Sequence, residues 1–221
     1  MYRSWWKVFT IILLLYTITA GFLLYVPRKP ILNESIRALH FHVPMWWGMI
    51  VLLLFSVVYA VKNLRSNDPK HDTFSVEFAN AGILFGVLGL LTGMLWANYT
   101  WGSPWSNDPK QNASAIGLLI YLAYKVLRSS IADPMNKARI SSVYNIFAFA
   151  CLVPLLFILP RMTDSLHPGN GGNPGFNIYD LDNDLRKVFY IAGLSWIMLG
   201  VWIATLNIRF RLIEQKRDEV I

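Results

Sequence analysis

Long runs of residues without a charged side chain restrict how this chain can fold more than any other feature. Residues 8–26, 41–61, 78–97 and 188–208 contain no Asp, Glu, Lys or Arg. A helix needs about 20 consecutive apolar residues to cross the hydrocarbon core of a bilayer, so each run is long enough. None of the runs alternates between apolar and polar residues, which argues against a β-barrel. The sequence therefore predicts an all-α integral membrane protein.

Six spans account for the composition, in which 55% of residues are hydrophobic and only 15% are charged. A soluble domain carries roughly 25% charged residues. The fourth span is the weakest, because its uncharged run ends at Lys125, whose side chain must reach the membrane interface. The fifth contains Pro154, which predicts a kink. We predict one membrane domain, residues 1–221, with spans at about 8–26, 41–61, 78–97, 112–127, 143–160 and 188–208.

The distribution of positive charge predicts the orientation of this six-helix bundle. The formal net charge of +7 would suggest nucleic-acid binding in a soluble protein. With the N-terminus in the cytoplasm, 13 of the 20 Lys and Arg residues fall in inner segments and 7 in outer segments. Because Lys and Arg are enriched on the cytoplasmic side of membrane proteins, we predict an N-in/C-in protein without a nucleic-acid partner.

Two histidines are predicted to lie at the outer membrane face. His42 begins the second span and His167 follows the fifth, so both could ligate a metal or a haem iron, although interfacial histidines are also common as amphipathic anchors. His40 and His42 lie two residues apart and point in nearly opposite directions, so only one of them faces a given site. His71 is predicted to be a solvated cytoplasmic loop residue. Cys151 is the only cysteine, which excludes a cysteine-based metal site and covalent haem attachment.

A tryptophan-rich loop is predicted outside the membrane between the third and fourth helices. It contains Trp96, Trp101 and Trp105, followed by Asp108 and Lys110. Such a platform suits a flat amphipathic ligand with carboxylates, such as a porphyrin or a quinone, but tryptophans also form interfacial belts, and the composition supports both interpretations equally. The belt alone explains the other six: Trp5, Trp6, Trp46, Trp47, Trp196 and Trp202.

Four glycines are predicted to lie on one face of the third span, because they are spaced by four, three and four residues. They are Gly82, Gly86, Gly89 and Gly93. Small residues allow membrane helices to approach closely, so the pattern predicts that this helix is central and holds the tryptophan-rich loop at its outer end.

Three short motifs resemble those of a known family of haem-handling membrane proteins. Residues 101–108, WGSPWSND, are similar to the tryptophan-rich "WWD" signature W-G-x-x-W-x-W-D. His42-Val43-Pro44 resembles the HVP that opens the second helix of the CcmC family, the haem exporter protein C of the cytochrome c maturation system. Leu166-His167-x-Gly169 resembles the LHxG that follows the fifth helix of that family. The resemblance covers nearly the whole chain and includes the order of spans and loops.

This resemblance implies a specific function. His42 and His167 would be the axial ligands of a non-covalently and transiently bound haem b, with Trp96, Trp101, Gly102, Trp105, Asp108 and Lys110 in the haem-binding loop. The site would lie on the periplasmic side of the bacterial inner membrane. The implied partners are a membrane-anchored haem chaperone (component E of that system), a small membrane component D and the ABC transporter components A and B. Such a protein transfers haem and is not expected to be a turnover enzyme.

The chain departs from the family pattern at a few positions. Asn107 replaces the last Trp of the signature, and Pro104 stiffens the loop. Lys110 stands where the family often has Arg, which keeps the positive charge but loses the bidentate geometry of a guanidinium. Met162 and Asp164 replace a more aromatic segment before the LHxG motif.

Two rival functions remain compatible with a membrane bundle of this kind. One is a b-type cytochrome that passes electrons to quinone, although that function usually places histidine pairs within the spans. The other is a structural scaffold or part of a transporter that binds no haem.

Overall fold

The computed structural model of the chain describes residues 4–28, 32–66, 68–167 and 181–218. All regular secondary structure in these residues is helical, so the predicted all-α class is confirmed for this part of the chain. A 3-10 helix, Asn33–Ala38, leads directly into the second α-helix. We number the main helices α1 Trp5–Leu23, α2 Leu39–Ser66, α3 Pro69–Trp101, α4 Pro109–Ser130, α5 Pro134–Met162 and α6 Asn183–Asp218.

Five of these helices are long and apolar enough to cross a membrane, namely α1, α2 with its preceding 3-10 turn, α3, α5 and α6. Helix α4 is 22 residues long but does not reach the same hydropathy, because it contains Lys110, Lys125 and Arg128. The described helices therefore support a multi-pass membrane protein, while a sixth span and the orientation of the bundle stay predictions.

Three helices begin with the same Asp-Pro pair. In each, the aspartate precedes the helix and its carboxylate accepts a backbone N–H from the first turn at 2.7–2.9 Å. Proline then occupies the first helical position, where its missing N–H costs nothing. The pairs are Asp68-Pro69 for α3, Asp108-Pro109 for α4 and Asp133-Pro134 for α5.

The first predicted span is wrong at its end. The prediction extends to Val26, but α1 ends at Leu23, and Leu24 already has an extended ψ of 154°. Pro27 disfavours helical backbone at the residue before it, so the chain leaves the helix early. Val26 packs instead in a small apolar cluster that includes Leu181 and Leu185.

Helix α5 departs from α-helical geometry where the sequence predicts a kink. Pro154–Ile158 form a π-helical turn inside the helix, because Pro154 has no N–H to donate to the preceding turn. Single π-turns of this kind are frequent at functional sites. The last α-helical turn, Leu159–Met162, follows it.

The predicted glycine face of α3 is confirmed as a packing surface against α2. Side chains of α2 lie so close to the four glycines that an added Cβ would come within 2.5–2.9 Å of them. In order along the helix, Gly82 meets Leu53, Gly86 meets Met49, Gly89 meets Trp46 and Gly93 meets His42. The α2–α3 pair is therefore the centre of the bundle, and α6 packs against both of its helices.

Buried hydrogen bonds join α5 to this central pair. The Asn145 amide donates to the Ser56 hydroxyl of α2 at 2.7 Å and to the Ser75 hydroxyl of α3 at 3.2 Å. At the end of the bundle that is predicted to be cytoplasmic, Arg128 of α4 makes a bidentate ion pair with Asp72 of α3. Interhelical polar contacts of this type contribute about 0.6 kcal/mol on average in a membrane protein.

We predict that Gly82→Ala destabilises the bundle, because the new Cβ would lie 2.7 Å from Leu53 Cδ2 and 3.4 Å from the Leu53 backbone nitrogen. Overpacking of this kind costs roughly 1–3 kcal/mol. Thermal unfolding in detergent measures the effect. Leu91→Ala, on an exposed side chain of the same helix, is the control and should leave the midpoint nearly unchanged. An unchanged midpoint for Gly82→Ala would contradict the close packing.

Candidate functional site

A cavity of about 460 Å³ opens at the end of the bundle that carries the tryptophan-rich loop. Its size is typical of sites for small molecules and cofactors. Helices α2 and α3 supply most of its apolar wall, and the π-helical turn of α5 adds Leu156 and Phe157. The polar and charged residues that line it are His42, Lys110, Gln111, Ser114, Arg161 and His167.

The first turn of α2 holds His42 rigidly at this cavity. Its Nδ1 lies 3.0 Å from the Gly89 carbonyl oxygen and 3.3 Å from the Thr92 hydroxyl. Because a carbonyl oxygen only accepts, this contact assigns the proton to Nδ1. The Nε2 lone pair is then available, and no described residue donates a hydrogen bond to it.

Pro44 lies inside α2 and not in its first turn. The 3-10 turn ends at Ala38 and α2 begins at Leu39, so Pro44 lies in the second turn. His42 lies in the first turn of α2.

Asp108 holds the second histidine. His167 Nδ1 lies 2.9 Å from Asp108 Oδ1, and Asp108 also accepts hydrogen bonds from the Leu166 N–H at 2.7 Å and the Ser165 hydroxyl at 2.9 Å. The Ser165 oxygen in turn accepts the His167 N–H. A carboxylate that orients a histidine through Nδ1 is the usual arrangement behind metal-ligating histidines. As at His42, Nε2 is left without a hydrogen-bond donor among the described residues.

The electrostatics of this pair favour a neutral imidazole beside a carboxylate. Burial lowers the pKa of His167 below its ordinary value, and the opposing attraction of Asp108 does not cancel that effect. Burial raises the pKa of Asp108, but other contacts outweigh it and hold the pKa below the ordinary value. These contacts involve Leu166, His167, Ser165 and Lys110.

The tryptophans of the loop divide into two groups. Trp96 and Trp105 line the cavity, and the Trp96 indole N–H is buried without a hydrogen-bond partner among the described residues. Trp101 does not line the cavity but packs edge-to-face on the His167 ring, with centroids 4.8 Å apart. Gly102 ends α3 in the left-handed conformation, with φ of 77°, which glycine adopts without strain.

The backbone conformation at position 107 suits Asn better than the tryptophan of the family signature. Asn107 adopts a left-handed φ of 57°, which Asn tolerates better than an aromatic residue. Its side-chain oxygen accepts the indole N–H of Trp105 at 3.2 Å, which ties the loop to the residue that lines the cavity.

Some of the predicted site residues are therefore brought to the cavity and others support them. His42, His167, Trp96, Trp105 and Lys110 line it. Trp101 and Asp108 hold His167, and Gly102 only ends the helix. Gly169 of the LHxG motif lies outside the described residues.

The other two histidines do not line the cavity. His40 is buried near Gly21 of α1, in agreement with the prediction that it and His42 point apart. The prediction that His71 is a loop residue is wrong. His71 lies in the first turn of α3, half-buried, with Nδ1 2.9 Å from the Ser66 hydroxyl.

The sequence interpretation missed Trp46 and Trp47, which it assigned to the interfacial belt but which line the cavity. The four-residue spacing between His42 and Trp46 is a signal that could have identified one of them, because such residues share a helix face. Their ring centroids are 6.4 Å apart. Arg161, one of the seven Lys and Arg residues of the predicted outer segments, also lines the cavity.

A family model described as "Heme exporter protein C" (CcmC) matches residues 1–220. The chain belongs to the CcmC family. It is similar to Heme exporter protein C of Rhodobacter capsulatus, with 23% identity over 93% of this chain and 80% of that protein. For Heme exporter protein C of Bradyrhizobium diazoefficiens, identity is 28% over 61% of this chain and 51% of that protein.

The chain is also similar to proteins that carry a different name. Cytochrome c biogenesis protein CcsA of Pelargonium hortorum is 32% identical over 46% of this chain and 32% of its own length. The chain thus spans about a third of that relative and about half of the Bradyrhizobium protein.

We predict that His167 is neutral at pH 7, protonated on Nδ1, and titrates below its ordinary pKa of 6.5. Asp108→Asn should lower the His167 pKa further, because it removes the negative charge that stabilises the protonated ring. Nitrogen-15 NMR of histidine-labelled protein measures both the tautomer and the pKa, with His167→Phe to assign the signal. A His167 pKa above the ordinary value, or a rise in Asp108→Asn, would contradict this account.

Proposed function

We propose that this chain binds haem b non-covalently and transiently at the outer face of the bacterial inner membrane and delivers it for cytochrome c biogenesis. The observation that carries the proposal is the pair of histidines at one cavity. The Nδ1 atom of each imidazole is hydrogen-bonded to the protein, at 3.0 Å from the Gly89 oxygen and 2.9 Å from the Asp108 carboxylate. The Nε2 lone pairs of His42 and His167 are then available for the two axial positions of a haem iron.

The rest of the cavity fits an amphipathic tetrapyrrole. Trp46, Trp96 and Trp105 offer flat apolar contact, and the unpartnered Trp96 N–H is a donor available to a bound molecule. Lys110 supplies positive charge for a propionate. The described residues contain no cluster of three or more His, Cys, Asp or Glu that could hold a metal ion.

The chain's own part in haem delivery is ligation and orientation. A bound haem would supply the iron that the two histidines hold. His42 and His167 would hold the iron between them, which would limit the access of oxygen to it. Because Asp108 starts α4 and also holds His167, the second ligand depends on the packing of that helix. The names of the family and of the matched relatives describe an exporter and a biogenesis protein, which supports a transfer role over that of a turnover enzyme.

We propose the same partners that the sequence resemblance implies. Haem would pass to a membrane-anchored haem chaperone (component E), in a complex with the small membrane component D and the ABC transporter components A and B. The chain would act as one domain, residues 1–221, with six spans in an N-in/C-in arrangement. Helix α4 would be the span that is added to the five long apolar helices. With this proposed orientation, the cavity would lie on the periplasmic side.

We predict that His42→Ala and His167→Ala each abolish the low-spin haem absorption spectrum of the purified protein, because each removes one axial ligand. His71→Ala is the matched control, since His71 does not line the cavity, and it should keep the spectrum. Absorption spectroscopy after gentle detergent purification measures the result. An unchanged spectrum in both single variants would remove the basis for the ligand assignment.

We predict that the haem chaperone co-purifies with this protein in the presence of haem and is lost when haem synthesis is blocked. His167→Ala should reduce the recovered complex even when haem is present. Equal recovery with and without haem would indicate a scaffold role instead. A bound haem that titrates in step with quinol oxidation would favour the b-type cytochrome alternative.

A further inference from the structure

One wall of the cavity is positively charged and the opposite wall is not. Lys110 lies in the first turn of α4 and Arg161 in the last turn of α5, and both line the cavity. The lining residues that α2 and α3 contribute include no Lys, Arg, Asp or Glu. No described acidic residue lines the cavity at all. A ligand with anionic groups on one edge is therefore attracted to the α4–α5 wall.

No contact with another described residue explains the position of the Arg161 side chain. This side chain makes no hydrogen bond or ion pair with any described residue. The residue is exposed and yet contributes to the cavity, so it lies at the mouth. The short helical turn that carries it, Leu159–Met162, packs on α4, which holds the arginine beside the cavity.

We propose that Arg161 binds a carboxylate of a dicarboxylic tetrapyrrole and makes the cavity selective for the free acid over its ester. A guanidinium suits this task because it can donate two parallel hydrogen bonds to one carboxylate. The acidic edge of the ligand then lies beside α4 and α5, which carry the two cations of the cavity. This inference rests on the proposed function and adds a binding residue and a ligand orientation to it.

The test compares metal-free protoporphyrin with its dimethyl ester, since neither needs an axial ligand. Binding to the full-length protein in detergent is followed by quenching of tryptophan fluorescence, because Trp46, Trp96 and Trp105 line the cavity. The wild type should bind the diacid more tightly than the diester. Arg161→Ala should weaken diacid binding roughly five- to tenfold, as expected for a charge-assisted contact at a partly exposed site, and leave diester binding unchanged. Arg161→Lys should recover part of the loss.

Arg28→Ala is the matched control, because Arg28 is an exposed cation of the same predicted outer face that does not line the cavity. It should bind both porphyrins like the wild type. Equal weakening of diacid and diester by Arg161→Ala, or no weakening of either, overturns the inference.

A parallel measurement separates this inference from the proposed function. Arg161→Ala loaded with haem should keep a low-spin spectrum, because His42 and His167 are unchanged. A wild type that discriminates between the porphyrins but shows no low-spin haem spectrum would contradict the histidine ligation and support the role of Arg161.

Discussion

The close contact between α2 and α3 is the constraint on which the rest of this protein depends. Four glycines of α3 leave space for side chains of α2, and the outermost, Gly93, lies directly against the His42 ring. One turn earlier, Gly89 makes room for Trp46 and also accepts a hydrogen bond from His42 through its carbonyl oxygen. The same backbone approach therefore sets the helix packing, the position of an aromatic wall and the tautomer of the histidine.

The part of the site that contains His167 is held by Asp108, the residue that precedes α4. Asp108 caps α4, and the same carboxylate accepts hydrogen bonds from the segment that follows α5. Its hydrogen bond to His167 joins residues 59 positions apart. Both imidazoles are thus oriented by contacts on Nδ1, one from a backbone carbonyl and one from a buried carboxylate. This pre-organisation reduces the entropy that a ligand would have to remove on binding.

Much of this arrangement can be predicted from local sequence. Uncharged runs predict the helices, and the glycine spacing predicts the central seam, because both depend on residues close in the chain. Other features depend on tertiary contacts. The contact of Asp108 with His167 joins distant residues, and the role of Trp46 is masked by the general preference of tryptophan for the interface. Helix α4 is ambiguous because its charged residues lower its hydropathy, although it packs as a full helix of the bundle.

The π-helical turn Pro154–Ile158 determines the direction in which the end of α5 faces. A π-turn accommodates one more residue than an α-turn, and each residue of a helix turns the next by about 100°. If the same residues formed a regular α-helix, Arg161 and the chain leading to His167 would be rotated about the helix axis by roughly that angle. The geometry of this turn is therefore a constraint separate from its composition, because the same side chains on a regular helix would face elsewhere.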